Sequence, residues 1–174
     1  MEIPLCTFCV KSGILCQRCQ EKVRKGEISE TAINMAKLLL KLENKFPVLQ
    51  KIKFYDAFEI ENVVAIILGV GDIHRLLSSG GGILRAIGED TGKKIKILEN
   101  RGDTRKFFED LFTPISVTSI NKIWLPDGST ETRVVLSGYY RRLPMKASVI
   151  KKLAKKIRGI TLRIGFENSP GKEI

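Results

Sequence analysis

The sequence predicts an α+β protein in which a small four-cysteine module precedes two α/β modules. Three observations support this prediction. All four cysteines lie within residues 1–26. Residues 27–100 alternate between helical and strand periodicity in the order α-β-β-α-α-β, and residues 101–167 follow in the order α-β-β-α-β. Residues 168–174 are expected to form a flexible tail.

The composition indicates a basic protein with enough apolar residues for folded cores. Of its 174 residues, 43% are hydrophobic, which allows one large domain or two to three small ones. Lysine and arginine number 30 against 19 acidic residues, so ion pairs cannot neutralise the formal charge of +11. The expected partner is therefore a polyanion, either a nucleic acid or the ribosome, and no small-molecule substrate is expected. The alternative is a solvated surface rich in lysine and glutamate.

The sequence carries no sign of membrane insertion or secretion. No stretch of 18 apolar residues is present, so no membrane-spanning segment is expected. The first residues, Met1 to Pro4, lack the basic and apolar regions of a signal peptide. We therefore expect a cytoplasmic protein.

The cysteines form two C-x-x-C pairs, Cys6 with Cys9 and Cys16 with Cys19, separated by six residues. Two such pairs bring four thiolates within tetrahedral reach of one ion, which suits zinc. Two disulfides, a redox pair or an iron–sulfur cluster are the alternatives, and disulfides are disfavoured in a reducing cytosol. Four thiolates leave no open position on the metal, so a structural site is expected.

The first α/β module, residues 27–100, begins with a helix that Ser29 caps and Pro47 ends. The unbroken apolar run from Val63 to Leu68 predicts a central strand. Before it, apolar side chains at even positions predict a half-buried strand: Ile52, Phe54, Phe58 and Ile60.

A glycine-rich segment follows the central strand. A short helix from Asp72 to Leu77 leads into three consecutive glycines, Gly80 to Gly82, and a second helix ends at Gly92. Because glycine has no side chain, a loop between two helices exposes backbone N–H groups that a sugar-phosphate chain can approach. The last strand has Ile95 and Ile97 alternating with Lys94 and Lys96.

The second module, residues 101–167, has the same predicted order of elements, except that one helix and the glycine loop are missing. A helix begins near Asp103, and the turn Pro126-Asp127-Gly128 joins two predicted strands. A lysine-rich helix ending at Gly159 and an alternating strand complete the order. The segment from Tyr139 to Pro144 replaces the glycine loop and the helix before it.

The order α-β-β-α-α-β with its glycine loop resembles a type II KH domain, whose GXXG loop clamps about four nucleotides of single-stranded nucleic acid. The loop falls on Ser78-Ser79-Gly80-Gly81, with serine at the first glycine position. Residues 101–167 resemble a degenerate KH fold without its clamp. In series, the two modules resemble archaeal NusA-like proteins, which implies single-stranded RNA binding and a role in transcription elongation or termination. The four-cysteine module and the missing second loop depart from that pattern.

The resemblance and the charge pattern indicate candidate RNA-binding residues in both modules. In the second module, Arg141 and Arg142 follow Tyr139 and Tyr140, which could stack on bases. Trp124 is expected to be a core or interface aromatic. The candidates in the first module are the loop and the cations around it: Ser78, Ser79, Gly80, Gly81, Gly82, Arg75, Arg85, Lys94 and Lys96. Solvent-facing charges are the alternative interpretation of these arginines and lysines.

The sequence favours a binding protein over an enzyme. It has no phosphate-binding G-x-x-x-x-G-K-[ST] loop, no H-E-x-x-H motif and only one histidine, His74. The alternative function is that of a structural protein of the ribosome or of RNA polymerase, with the KH folds and the zinc module as docking surfaces. A subunit of a nucleic-acid-processing enzyme is a third, more distant possibility.

Overall fold

The computed structural model describes residues 1–78, 80–100, 103–138 and 142–168 and confirms the α+β fold class. The chain divides into two compact units, Met1–Arg101 and Gly102–Ile174, called here the first and second units. Across the described residues, each unit contains one three-stranded sheet. No helix in these ranges is long and apolar enough to cross a membrane.

The first unit begins with the cysteine segment, residues 1–26, which forms helix α1 (Thr7–Ser12) and helix α2 (Gln17–Arg24). Helix α1 packs against helix α3 (Glu30–Glu43), and the segment shares one hydrophobic core with the α/β module. From the segment this core takes Leu5, Cys9, Val10 and Cys19, and from α3 it takes Ala32, Met35, Ala36, Leu38 and Leu39. The division of the chain into domains at residue 26 stays a prediction, but packing across that point is continuous.

Helix α3 begins where the sequence predicts. The Ser29 hydroxyl accepts a hydrogen bond of 3.0 Å from the backbone N–H of Ala32, which satisfies one of the free donors at a helix start. After α3 the chain enters a short 3₁₀ helix, Pro47–Lys51.

The sheet of the first unit has the order β1-β2-β3. The central strand β2 pairs antiparallel with β1 and parallel with β3. Every residue of β2 is buried, as its apolar run predicts. The strands are β1 (Phe54–Ile60), β2 (Val63–Leu68) and β3 (Lys94–Glu99), and helices α4 (Asp72–Leu77) and α5 (Gly82–Thr91) connect β2 to β3.

A β-bulge in β1 interrupts the alternation of side chains that the sequence predicts for this strand. The register shifts between Phe54 and Asp56, and beyond this point Ala57 pairs with Ile66 in the core while Phe58 falls on the opposite face. The bulge adds one residue to the strand, which reverses the facing of every later side chain. The interpretation of Phe58 as a neighbour of Phe54 on one face is therefore wrong.

The second unit repeats the sheet topology of the first. Its central strand β5 pairs antiparallel with β4 and parallel with β6, and β4 has a bulge at the equivalent place, between Val117 and Ser119. Leu136 pairs with Val117 and Phe166, as Leu68 pairs with the ends of β1 and β3. The elements are α6 (Thr104–Phe112), β4 (Val117–Trp124), β5 (Thr130–Leu136), α7 (Ala147–Arg158) and β6 (Thr161–Phe166), in the predicted order.

Candidate metal centre and nucleic-acid interface

Each C-x-x-C pair is held at the start of a helix. Cys6 and Cys16 are the N-cap residues of α1 and α2, and Cys9 and Cys19 lie in the first turn of those helices. The positive ends of both helix dipoles therefore point toward the sulfurs, which favours negative charge there. The backbone N–H of Cys16 also donates a hydrogen bond to the Cys9 sulfur at 3.1 Å.

The four sulfurs converge on one point. All four Sγ atoms lie within 4.8 Å of one another. Cys6 Sγ is 2.9 Å from Cys9 Sγ, 3.4 Å from Cys19 Sγ and 3.7 Å from Cys16 Sγ. Metal–sulfur bonds of about 2.3 Å in a tetrahedron place the sulfurs about 3.8 Å apart. The cluster is therefore close to the size that a single bound metal ion requires.

Hydrogen bonds and burial within the cluster shift the pKa values of three of its thiols in different directions. A hydrogen bond with Cys9 lowers the pKa of Cys6 to about 6. The same hydrogen bond raises the pKa of Cys9 to about 12, and burial raises the pKa of Cys19. A metal ion that binds these sulfurs must therefore displace the protons that Cys9 and Cys19 hold.

The glycine loop lies between α4 and α5, and its glycines are not equivalent. Gly80 and Gly81 have φ values of 66° and 78°, and a Cβ atom added to either would meet nothing within 4 Å. A Cβ on Gly82 would lie 3.5 Å from the Phe46 ring, in ordinary van der Waals contact. Gly80 and Gly81 therefore form the open, side-chain-free part of the loop. The flanking Ser78 donates its hydroxyl hydrogen to the Arg75 carbonyl at 2.6 Å, and Ser79 lies outside the described residues.

A buried carboxylate fixes the start of α4 and one of the candidate arginines. Asp72 accepts hydrogen bonds of 2.8 Å from the backbone N–H of Lys53 and from Arg75 Nη1. Gly69 leaves the room for it, because a Cβ there would lie 2.5 Å from Asp72 Oδ2. Buried Glu99 accepts a further bond of 3.0 Å from the N–H of Gly71. Arg75 is thereby held against the start of α4, while 57% of its side chain stays exposed.

Sequence reasoning missed both carboxylates. An acidic residue at a helix start is ordinarily read as a solvent-exposed cap, and neither Asp72 nor Glu99 stands in a motif. Asp72 does have a signal in the sequence. It begins a helix shortly after a fully apolar strand, and two glycines, Gly69 and Gly71, lie between the strand and the helix.

The remaining candidates of the first unit lie at different distances from the loop. Arg85 is exposed one turn into α5, where its N–H donates to the Gly81 carbonyl at 3.0 Å. Lys94 is exposed, but it lies beyond the far end of α5, whose ten residues span about 15 Å. Lys96 is half-buried in the middle of β3, paired with Ala65. Arg75 and Arg85 therefore lie on the two helices that flank the loop, close to it along the chain, whereas Lys94 does not.

In the second unit, Arg142 is exposed, while Tyr139, Tyr140 and Arg141 lie outside the described residues. Trp124 is 71% exposed, and Lys122 Nζ lies 4.9 Å from the centroid of its ring. Of the two expectations for Trp124, placement in a core is wrong, because the residue lies at the exposed end of β4 next to the hairpin turn. Its placement in an interface stays a prediction.

Comparison with known proteins gives a partial similarity. No protein-family profile matches the chain. Over 57 residues, or 33% of its length, the chain is 35% identical to the probable transcription termination protein NusA of Methanocaldococcus jannaschii, and this match spans 31% of that protein. The crystal structure of APE1850 aligns with 74% of this chain and 96% of its own, with a TM-score of 0.48 and 19% identity. The chain is thus similar to an archaeal NusA protein over about a third of its length.

Proposed function

We propose that this protein binds single-stranded RNA, through a KH-type glycine loop, as a NusA-like factor of transcription elongation or termination, and that it is not an enzyme. The observation that carries the proposal is the open loop at Gly80 and Gly81, flanked by Arg75 and Arg85. The partial similarity to a probable transcription termination protein supports both RNA binding and a role in transcription.

The loop suits contact with the RNA backbone. A phosphate can come against Gly80 and Gly81 because, among the described residues, no side chain lies within 4 Å of a Cβ placed on either glycine. The guanidinium groups of Arg75 and Arg85 can then donate hydrogen bonds to phosphate oxygens. Such contacts position a strand without reading its sequence.

We further propose that the ion held by the four cysteines is zinc and that its role is structural. A set of four thiolates matches the preference of zinc and leaves no coordination position for a substrate. Bound zinc would fix α1 and α2 relative to each other.

The proposal is tested by measuring RNA affinity as a function of salt. Fluorescence anisotropy with a labelled oligouridylate should give a log–log slope of magnitude about 0.7 per contacted phosphate. A dissociation constant that does not respond to salt would contradict the proposal. Crosslinking in cells, followed by sequencing of bound RNA, tests the pathway, because enrichment of nascent transcripts is expected.

One observation favours the alternative function of docking to the ribosome or RNA polymerase. Phe8 and Ile14 of the cysteine segment are 75% and 73% exposed. If docking is the function, Phe8→Ser with Ile14→Ser should abolish co-purification with such an assembly and leave RNA binding by the purified protein unchanged. Crosslinking to ribosomal RNA alone would support this alternative.

A further inference from the structure

A groove lies between α1 and α3, where the cysteine segment meets the first α/β module. It has a volume of about 590 Å³, within the range of roughly 300–1,000 Å³ that is typical of ligand sites. Neither the four cysteines nor the glycines of the loop line it. The groove is therefore separate from both sites described above.

The walls of the groove are cationic. Lys11 of α1 lines one wall, and Lys37 and Lys41 of α3 line the other. All three are exposed, and none forms an ion pair with any residue that the structure describes. Asp90 is the single acidic residue among those lining the groove. Because like charges at i and i+4 of a helix repel each other, an anion lying between the lysines would be stabilised.

The other groups in the groove suit a nucleotide chain better than a free inorganic anion. Asn34, Lys37 and Lys41 recur at helical spacing on one face of α3, and the C-cap Asn44 continues the row, so two ammonium donors lie between two amide donors. Beneath them, the buried side chains of Val10 and Leu38 give the groove an apolar floor. Donors at the rim can bind phosphates while the floor accommodates a ribose or a base.

The end of α3 links the groove to the glycine loop. Asn44 lines the groove, and Phe46, two residues later, packs 3.5 Å from the position of a Cβ on Gly82. Lys45 Nζ lies 5.7 Å from the centroid of the Phe46 ring, which adds a further cation along this path.

We infer that the α1–α3 groove binds the phosphates of the RNA strand beyond the nucleotides held by the glycine loop. A strand longer than the loop footprint then runs along α3 toward the cysteine segment. This inference rests on the proposed RNA-binding function, and the experiment below separates the two.

The test compares two double variants that each remove two positive charges. Lys37→Gln with Lys41→Gln changes the groove, and Lys25→Gln with Lys51→Gln changes exposed lysines of the same unit that do not line it. Glutamine keeps helix propensity close to that of lysine, so folding should be preserved, which circular dichroism checks. The probes are labelled oligouridylates of about four nucleotides, the footprint of a KH loop, and of about twelve.

For the longer probe, the groove variant should bind more weakly, with a salt slope smaller in magnitude by about 1.4, the value for two lost phosphate contacts. The shorter probe should bind all three proteins with the same affinity, and the control variant should keep the wild-type slope for both probes. Equal slopes for the groove variant and wild type on the longer probe would overturn the inference and leave RNA binding intact. An equal loss of affinity for the longer probe in both double variants would also overturn the inference. The loss would then come from the lower net charge of the protein and not from the groove. If wild type binds neither probe, the proposed function itself fails.

Discussion

At the scale of single residues, the glycine loop is defined by two backbone conformations and the open space beside them. Gly80 and Gly81 adopt positive φ, which costs other residues about 1 kcal/mol or more, with asparagine and aspartate the best tolerated. A substitution therefore changes both the strain and the surface of the loop, and a useful test must hold the strain constant.

Replacing Gly80 and Gly81 with aspartate should lower RNA affinity at least tenfold, or about 1.4 kcal/mol, because two carboxylates would repel the approaching phosphate. The matched control replaces both with asparagine, which has nearly the same size and the same strain but no charge. Anisotropy gives the affinity, and urea unfolding should show the two variants to be equally destabilised. If the aspartate pair binds RNA as well as the asparagine pair does, the loop is only a structural turn.

The contact between Gly69 and Asp72 supports a second prediction. Gly69→Ala should destabilise the protein by about 1–3 kcal/mol, because the new Cβ would lie 2.5 Å from Asp72 Oδ2. The cost should shrink in an Asp72→Ala background, which removes the clashing atom, giving a coupling of about 0.5–3 kcal/mol. Urea unfolding measures all four proteins of the cycle. Gly88→Ala is the control, because its Cβ would lie 3.6 Å from the nearest atom and alanine favours the helix. Additive effects of the two substitutions would show that the predicted clash does not determine the cost.

At the scale of elements, the cysteine segment is part of the first unit's core and not an appendage. Cys9 and Cys19 are 1% and 4% exposed, and Val10 packs with them into the core that contains α3. Metal loss would free α1 and α2 from each other, so its effects should extend into α3.

Removing the metal should therefore reduce hydrogen-exchange protection in α3 as well as in α1 and α2, while α7 of the second unit keeps its protection. Cys16→Ser tests this, because Cys16 is exposed and its replacement removes a ligand without opening a core cavity. The purified wild type should contain one zinc ion per chain by metal analysis. Iron with a visible chromophore would contradict the zinc proposal, and unchanged protection of α3 would show that the segment folds independently.

Elements with one strong local signal could be predicted from the sequence, and features set by tertiary contacts could not. The apolar run of β2 and the Ser29 cap of α3 each carry their own signal. The bulge after Phe54 has no such signal, because no glycine or proline marks it. The sequence pattern therefore predicts the wrong face of β1 for the Phe58 side chain. The exposure of Trp124 also depends on what covers the end of β4, which alternation within the strand does not reveal.

At the largest scale, the two units share one sheet topology but differ in the loop to which RNA binding is proposed. Both have a bulged first strand, a central strand and a parallel third strand in the same order. Only the first carries consecutive glycines between its central and last strands, at Gly80 to Gly82. Element order was predictable because each unit repeats the same periodicities, whereas the α1–α3 groove depends on residues far apart in sequence and could not be foreseen.

This asymmetry predicts that the first unit dominates RNA binding. Arg142→Ala, at an exposed position of the second unit, should weaken binding through lost charge alone, equally for all RNA sequences, with the salt slope reduced by about 1 at most. Adding Arg141→Ala should reduce the slope by a similar further step. Anisotropy over a salt series compares these variants with the aspartate pair at Gly80 and Gly81, which should lose far more affinity. If the arginine variants abolish binding while the aspartate pair retains it, the second unit is the RNA-binding module, and the glycine-loop proposal is wrong even though the fold is right.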